Sequence, residues 1–315
     1  MTLGIIRAVR RDGPIGGISG WWAGMKEEYD RRESVEGVLF ALPYLLAFGV
    51  FLLYPLLKGL YMSFYDWNAL FPAESEFIGL ENYRTLLSDP LFWDSLVNTV
   101  YFVVLTVPPL VIFSTLLALG VNRNVKGKWL MRTVFFSPYI LTVSVIGLLF
   151  QELFAGGGFI AYWLNTLFGL ETNFLRSTTW AMFAVAAATV WWQVAFNFII
   201  MLAARQGVPD RLYEAARLDG ASSYEMLRDI TIPQMRNPIL FVVIITFIGS
   251  FQVFGQPWIM TQGGPDFSTT TIVMYLYQSG FQSRSFGYAA AIGYILFLIL
   301  ISVSLVNYYA LSGDE

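Results

Sequence analysis

The groups through which this chain can act are bounded first by two absences, because Cys and His are both 0 among its 315 residues. No thiol nucleophile, imidazole base or Cys- or His-bound metal is available. Polar and charged groups instead recur at fixed spacing within and between long apolar runs. One set is Glu214, Ala215, Ala216, Gly220, Ile230 and Pro233, in the stretch EAARLDGASSYEMLRDITIP. Asp210 after Pro209 is placed to cap a short helix with Leu212, Ala215 and Ala216 on a narrow apolar face and Glu214 and Arg217 projecting. Gly220 ends that helix, and Ser222 with Glu225 three residues on is a capping-box pattern opening a second. The small residues allow close approach to another surface; a solvated amphipathic connection is the alternative reading.

A second set is Trp191, Trp192, Gln193, Phe196 and Asn197, with Thr246, Ser250 and Gln252 further along. Gln193 and Asn197 lie one helical turn apart, as do Thr246 and Ser250. Aromatic faces beside amides and hydroxyls suit a sugar, whose C–H faces stack while its hydroxyls hydrogen-bond. The same residue types also join helices to one another in a membrane. A nucleotide site is not written here: Gly127-Lys128 is followed by Trp129, and Asn122 stands where a phosphate loop has its first Gly. Gly156-Gly157-Gly158 lacks a following Lys and reads as a turn.

The elements that must hold these groups are membrane helices. The chain is 56% hydrophobic and 13% charged, against about 25% charged in soluble domains. Six runs reach the length of about 20 apolar residues that a span requires: Val38–Leu57, Ser95–Leu119, Val134–Phe154, Trp180–Ala203, Ile239–Met260 and Phe286–Ala310. The first lies behind 37 residues without a small-residue cleavage site, so it is expected to be retained. Of the Lys and Arg in the flanking segments, fifteen fall on the side of the N-terminus and of Glu214–Pro233, and only Lys58, Arg84, Arg176 and Arg284 fall on the other. The positive-inside bias therefore predicts that both termini and the docking stretch are cytoplasmic.

The spaced pattern Glu-Ala-Ala, Gly, Ile-x-Ile-Pro resembles the signature of the permease subunits of ATP-binding-cassette importers, with Ile232 where that family usually has Leu. The likeness runs from about Asp94 to Tyr309. Leu53-Tyr54-Pro55, Ser63-Phe64, Ile78–Tyr83 and Thr261–Pro265 are similar to the carbohydrate-uptake branch, of the type that pairs with a second, non-identical permease. The resemblance implies an all-α integral membrane protein with six transmembrane helices in the type I ABC importer permease fold. Its divisions are a cytoplasmic segment 1–37, a first span 38–57, an extracytoplasmic loop 58–93, a transmembrane domain 94–310 holding a coupling segment 205–237, and a tail 311–315.

It further implies that Glu214, Ala215, Ala216, Gly220, Ile230 and Pro233 couple to two cytoplasmic ATPase subunits, which would bind the ATP and Mg that this chain does not. An external solute-binding protein would deliver the small-molecule substrate, and lipid rather than nucleic acid would surround the chain. A permease for an amino acid, polyamine or osmolyte, or an ion-coupled secondary transporter, are the alternatives. Against the last, Glu152 is the only acidic candidate inside a span.

Other features have structural readings. Pro108-Pro109 and Pro138 are expected to kink their helices. Gly287 with Ala291, and Ala289 with Gly293, suit close helix contact. Segment 66–94 is an acidic loop, and segment 1–37, with Trp21 and Trp22, is expected to be partly disordered or to lie along the membrane surface.

Overall fold

The computed structural model describes residues 32–122, 127–169 and 173–312. Trp21 and Trp22 and the final residues of the tail lie outside them. The chain divides into two units, Met1–Tyr61 and Met62–Glu315.

The described part of the first unit is one helix, α1, which runs Arg32–Phe48, through a π-turn Gly49–Leu53, and on from Tyr54. Its large apolar side chains from Val38 to Tyr61 are exposed along its length. A helix pairs its backbone groups within itself, which is what hydrocarbon demands of an apolar span.

The second unit opens with a short hairpin, β1 (Tyr65–Asp66) paired antiparallel with β2 (Glu76–Phe77), followed by α2 (Glu81–Ser88) and α3 (Pro90–Val121). Then come α4 (Lys128–Phe136), α5 (Val143–Phe154), α6 (Phe159–Phe168) and α7 (Ala181–Gln206). After α8 (Asp210–Leu218) the chain passes through α9 (Ser223–Gln234) and α10 (Arg236–Phe251), which meet at 63°. The remainder is α11 (Gly255–Thr261), α12 (Ile272–Tyr277) and α13 (Phe286–Ser312). Five stretches among the described residues are long and apolar enough to cross a membrane, and the bent α9–α10 pair makes a sixth. The expected all-α, six-span membrane architecture is the one observed.

Two spans differ from their expected form. The third was expected over Val134–Phe154, but α4 stops at Phe136, a 3-10 turn Ser137–Ile140 follows, and α5 begins at Val143 behind the Thr142 cap. Pro138 has no N–H to continue the ladder, and Trp192 Nε1 donates to the freed Leu141 carbonyl at 3.1 Å. The apolar stretch then continues into α6 across the Gly156–Gly158 turn.

The fifth was expected over Ile239–Met260, but α10 ends at Phe251 and α11 starts at Gly255. Thr271 Oγ1 donates to the Val253 carbonyl exposed by this break, at 2.8 Å. A Cβ on Gly255 would stand 2.7 Å from Val143, and one on Gly147 2.8 Å from Ile259, so glycine at both positions lets α11 lie directly against α5. By contrast α3 runs as one helix through Pro108 and Pro109.

Three clusters form the core. One gathers Phe102 of α3, Ile146 and Phe150 of α5 and the small residues Ala184, Ala186 and Ala188 of α7. A second joins Ala118 and Val121 to Phe198, Met201, Tyr213, Met235 and Val242. The third packs Leu86, Phe92 and Phe251 against Ile272, Ala291 and Ile292.

Candidate coupling surface and translocation path

The first short helix of the docking stretch owes its ends to local chemistry. Pro209, in extended conformation, occupies the N-cap, so Asp210 is the first helical residue rather than the expected cap and acts on the amide end only by its charge. At the other end Gly220 has φ +80, and the amide of Ala221 reaches the Ala216 carbonyl at 2.9 Å. That is the left-handed closure a helix C-terminus favours. The Ser222–Glu225 capping box is formed in both directions: the Ser222 amide donates to the carboxylate at 2.7 Å and the Glu225 amide to the Ser222 hydroxyl at 3.3 Å. The Ser222 amide, and the Ser222 hydroxyl beside the carboxylate, hold the Glu225 carboxyl below its ordinary value.

The side that packs is not quite the one expected. Tyr213 is buried and Leu212 packs with it into the second core cluster, Ala216 is half-buried, and Ala215 instead joins Glu214 on the exposed side. Exposed Leu218, at 89%, continues that outer side one turn further. Ile230 packs inward with the same cluster, while Pro233 is exposed within α9. The six sequence-derived residues therefore divide into an outward pair, Glu214 and Ala215, the exposed Gly220 and Pro233 at bends, and Ala216 and Ile230 turned toward the bundle.

The anchor of this helix escaped sequence reasoning. Tyr213 places its hydroxyl 2.8 Å from Thr231 Oγ1, which donates on to the Met226 carbonyl at 3.1 Å. The Arg205 guanidinium, at the end of α7, lies 4.4 Å from the centroid of the same ring. The available signal was an aromatic residue with a hydroxyl flanked by the apolar positions of an otherwise polar helix.

In the apolar interior, the eight path candidates separate. Asn197 Nδ2 donates to Thr246 Oγ1 at 3.0 Å, joining α7 to α10, and Ser250 Oγ lies 3.1 Å from Thr106 Oγ1 of α3. All four are buried, so these hydroxyls and the amide nitrogen are spent on holding three helices together. The aromatic candidates face a different neighbourhood. Tyr139, in the 3-10 turn that interrupts the third span, stacks on Trp192 at 5.8 Å and on Phe196 at 5.2 Å. Trp191 is half-exposed, meets Phe150 at 5.5 Å, and lines an apolar cavity of about 670 Å³ between α3 and α7, with Pro109 and Phe113 on the facing wall. Gln193 is half-buried and Gln252 is exposed at the break after α10. Among the described residues neither amide has a hydrogen-bond partner.

At the far end of α3, Asp89 carries a second polar centre that the sequence reading left inside an acidic loop. Its carboxylate caps α3 through the Leu91 amide at 2.9 Å and accepts from the hydroxyls of Tyr275 and, at 2.6 Å, Tyr288. Burial pushes the Asp89 carboxyl up, but the two hydroxyls and the amides of Leu91 and Phe92 outweigh it and hold it below its ordinary value. Thr261–Pro265 leads into a tight loop in which Gln262 and Gly263 have φ +52 and +87. Asn98 of α3 holds this loop through the Phe267 carbonyl at 2.8 Å.

Comparisons with known proteins bear on the family and the fold. The chain is 33% identical over 295 residues to the lactose transport system permease protein LacF of Rhizobium radiobacter, covering 91% of this chain and 96% of that one. It is 35% identical over 285 residues to the arabinooligosaccharides transport system permease protein AraP of Halalkalibacterium halodurans, covering 89% of each. In fold it is similar to a chain in the crystal structure of a bacterial ABC transporter involved in the import of the acidic polysaccharide alginate. The TM-score is 0.78 at 22% identity, over 92% of this chain and 98% of that one. The profile of a family described as the binding-protein-dependent transport system inner membrane component matches residues 88–312, the whole run from α3 to α13. This chain belongs to that family and is a multi-pass membrane subunit of a binding-protein-dependent transporter.

Proposed function

We propose that this chain is one of two permease subunits of an ATP-driven importer that carries a sugar or sugar derivative inward from an external binding protein. The observation that carries the reading is the two-sided construction of α8: a root buried by Tyr213, and an exposed side presenting Glu214, Ala215 and Leu218. A carboxylate beside a small residue and an apolar tip, on a helix anchored to the end of a span, suits insertion into a polar cleft of an ATPase subunit. Hydrolysis of ATP with Mg belongs to those partners. Their closure would draw α8 with the end of α7 and rock the bundles between inward- and outward-open states, as rigid-body alternating access requires. The excess of basic residues flanking α8 and the N-terminal segment supports a cytoplasmic position for both termini.

Sugar as cargo is supported by the printed functions of the relatives, lactose and arabinooligosaccharide transport. It is supported too by the stacked rings of Tyr139, Trp192 and Phe196, and by Gln193 and Gln252, whose side-chain amides have no hydrogen-bond partner among the described residues. The path reading thus rests on the aromatic and amide members of the set, while Asn197, Thr246 and Ser250 set the spacing of the helices around it. Glu214→Lys tests the coupling: membrane insertion is expected to be intact, with uptake abolished and the ATPase lost from a detergent pull-down. Full uptake by this variant sinks the reading. Mass spectrometry of the wild-type pull-down identifies the binding protein, and with it the class of solute.

A further inference from the structure

Between the β1–β2 hairpin and the turn that enters α13 lies a cavity of about 590 Å³, within the range of about 300–1,000 Å³ common for small-molecule sites. Its aromatic walls are Trp67, Phe281 and Phe286, and its polar ones include Asp66, Glu76 and Arg284. Three observations bear on its use. Arg284 and the carboxylates share the cavity, yet none of these three side chains has an ion pair or hydrogen bond among the described residues, so their polar atoms are left for something else. Arg284 is held at φ +60, a backbone conformation that an L side chain adopts at a cost and that clusters at binding sites. The rings do not stop at the cavity. Phe286 meets Phe281 at 5.8 Å, Phe281 stacks on Tyr277 at 5.2 Å, and Tyr277 meets Phe254 at 5.2 Å, directly beside the helix break that exposes Gln252.

An inorganic ion has no use for the rings, and a purely apolar ligand has none for unpaired carboxylates and a guanidinium. A carbohydrate uses both, stacking C–H faces on aromatic walls and giving its hydroxyls to charged partners. We infer that this cavity is a carbohydrate-binding vestibule, where cargo is held outside the bundle before the aromatic row leads it to the break after α10. The inference rests on the sugar-permease reading. Its ligand is the free sugar itself rather than the surface of the binding protein.

The test uses the intact transporter purified with its partner subunits into lipid nanodiscs. Lactose, raffinose and arabinotriose are the probes, followed by saturation-transfer NMR in the absence of the binding protein and by uptake in its presence. Wild type should transport at least one probe and give a transfer signal from it. Trp67→Ala, Phe281→Ala and Arg284→Gln should weaken that signal and raise the half-saturating concentration for uptake about five- to tenfold, with maximum rate and co-purified binding protein unchanged. Trp67→Phe, which keeps a stacking face, should recover most of the loss. Wild-type signal and kinetics in Phe281→Ala and Arg284→Gln overturn the vestibule while the permease reading stands. Loss of binding-protein co-purification with an unchanged transfer signal overturns it too, in favour of a protein-docking surface. A wild type that transports none of the probes, with a co-purified binding protein whose solute is not a carbohydrate, removes the reading on which it rests.

Discussion

The Tyr213–Thr231 contact is the point at which the exposed helix α8 is tied to the bundle, and the direction of its hydrogen bonds makes an asymmetric prediction. Thr231 has one hydroxyl proton, which goes to the Met226 carbonyl at 3.1 Å. The 2.8 Å bond is therefore one in which Tyr213 donates and Thr231 accepts. Tyr213→Phe removes the donor and leaves Thr231 still donating, so its cost is that of one ordinary bond, about 0.5–1.5 kcal/mol. Thr231→Val removes the acceptor, strands a phenol that is buried to 8% exposure, and also releases the Met226 carbonyl, so its cost is about 1–3 kcal/mol. In the double variant the phenol is absent and nothing is stranded between the two sites. The combined loss should fall short of the sum by about 1 kcal/mol.

A short, largely exposed helix such as α8 can open without the rest of the fold, so a global melt is a blunt readout. Hydrogen exchange of the α8 amides in nanodiscs reads the opening directly, and a loss of about 1 kcal/mol appears as about a fivefold faster exchange. The expected order is wild type slowest, then Tyr213→Phe, then Thr231→Val, with the double variant close to Thr231→Val. Uptake per ATP hydrolysed should decline in the same order if α8 transmits the stroke. Faster exchange in Tyr213→Phe than in Thr231→Val, or strict additivity, would refute the assignment of donor and acceptor and with it the anchor.

Two further outcomes test other parts of the fold. A Cβ at Gly287 would lie 2.0 Å from the Tyr65 carbonyl oxygen and 3.0 Å from Asn82 Nδ2, so Gly287→Ala is expected to cost about 3 kcal/mol and lower the unfolding midpoint in detergent. Gly293→Ala, whose Cβ meets only the flexible end of Leu276 at 3.3 Å, should change it little. At Asp89 the folded carboxyl lies below its ordinary value of 3.8, so the bonds to Tyr275 and Tyr288 contribute fully above 3.8 and are lost as pH falls through the lowered value. The part of any acid-induced drop in the midpoint that belongs to Asp89 should thus appear only below 3.8, and Asp89→Asn should abolish that part.

What was legible in the sequence was whatever depends on neighbours along the chain. The Ser222–Glu225 box and the left-handed Gly220 are decided within a few residues, and both formed as read. The cap at Asp210 was misplaced by one position because the extended backbone of Pro209 already occupies it. The run of apolar residues gave the spans themselves, since length and hydropathy are all that crossing hydrocarbon asks. It did not give the breaks. The third span is interrupted where Leu141 meets Trp192 and the fifth where Val253 meets Thr271, and in each case the freed carbonyl is satisfied by a side chain from a different element.

The same physics explains why polar residues in a span were ambiguous, and how they resolve. A polar group in hydrocarbon needs a partner, and composition cannot say whether that partner is a neighbouring helix or a passing solute. Pairing between helices separates the two cases. Asn197 finds Thr246 and Ser250 finds Thr106, and a pair that satisfies itself holds helices without needing cargo. Gln193 and Gln252 find no such partner among the described residues. Gln193 sits on α7 next to Trp192, which seals the break in the third span, and Gln252 sits at the break in the fifth. If the bundle rocks, the unpaired amides are the ones free to change partners, whereas breaking Asn197–Thr246 would leave two buried polar groups stranded at about 1–3 kcal/mol each. The moving contacts of transport should therefore lie at the helix breaks, and α3, α7 and α10 should travel as one body.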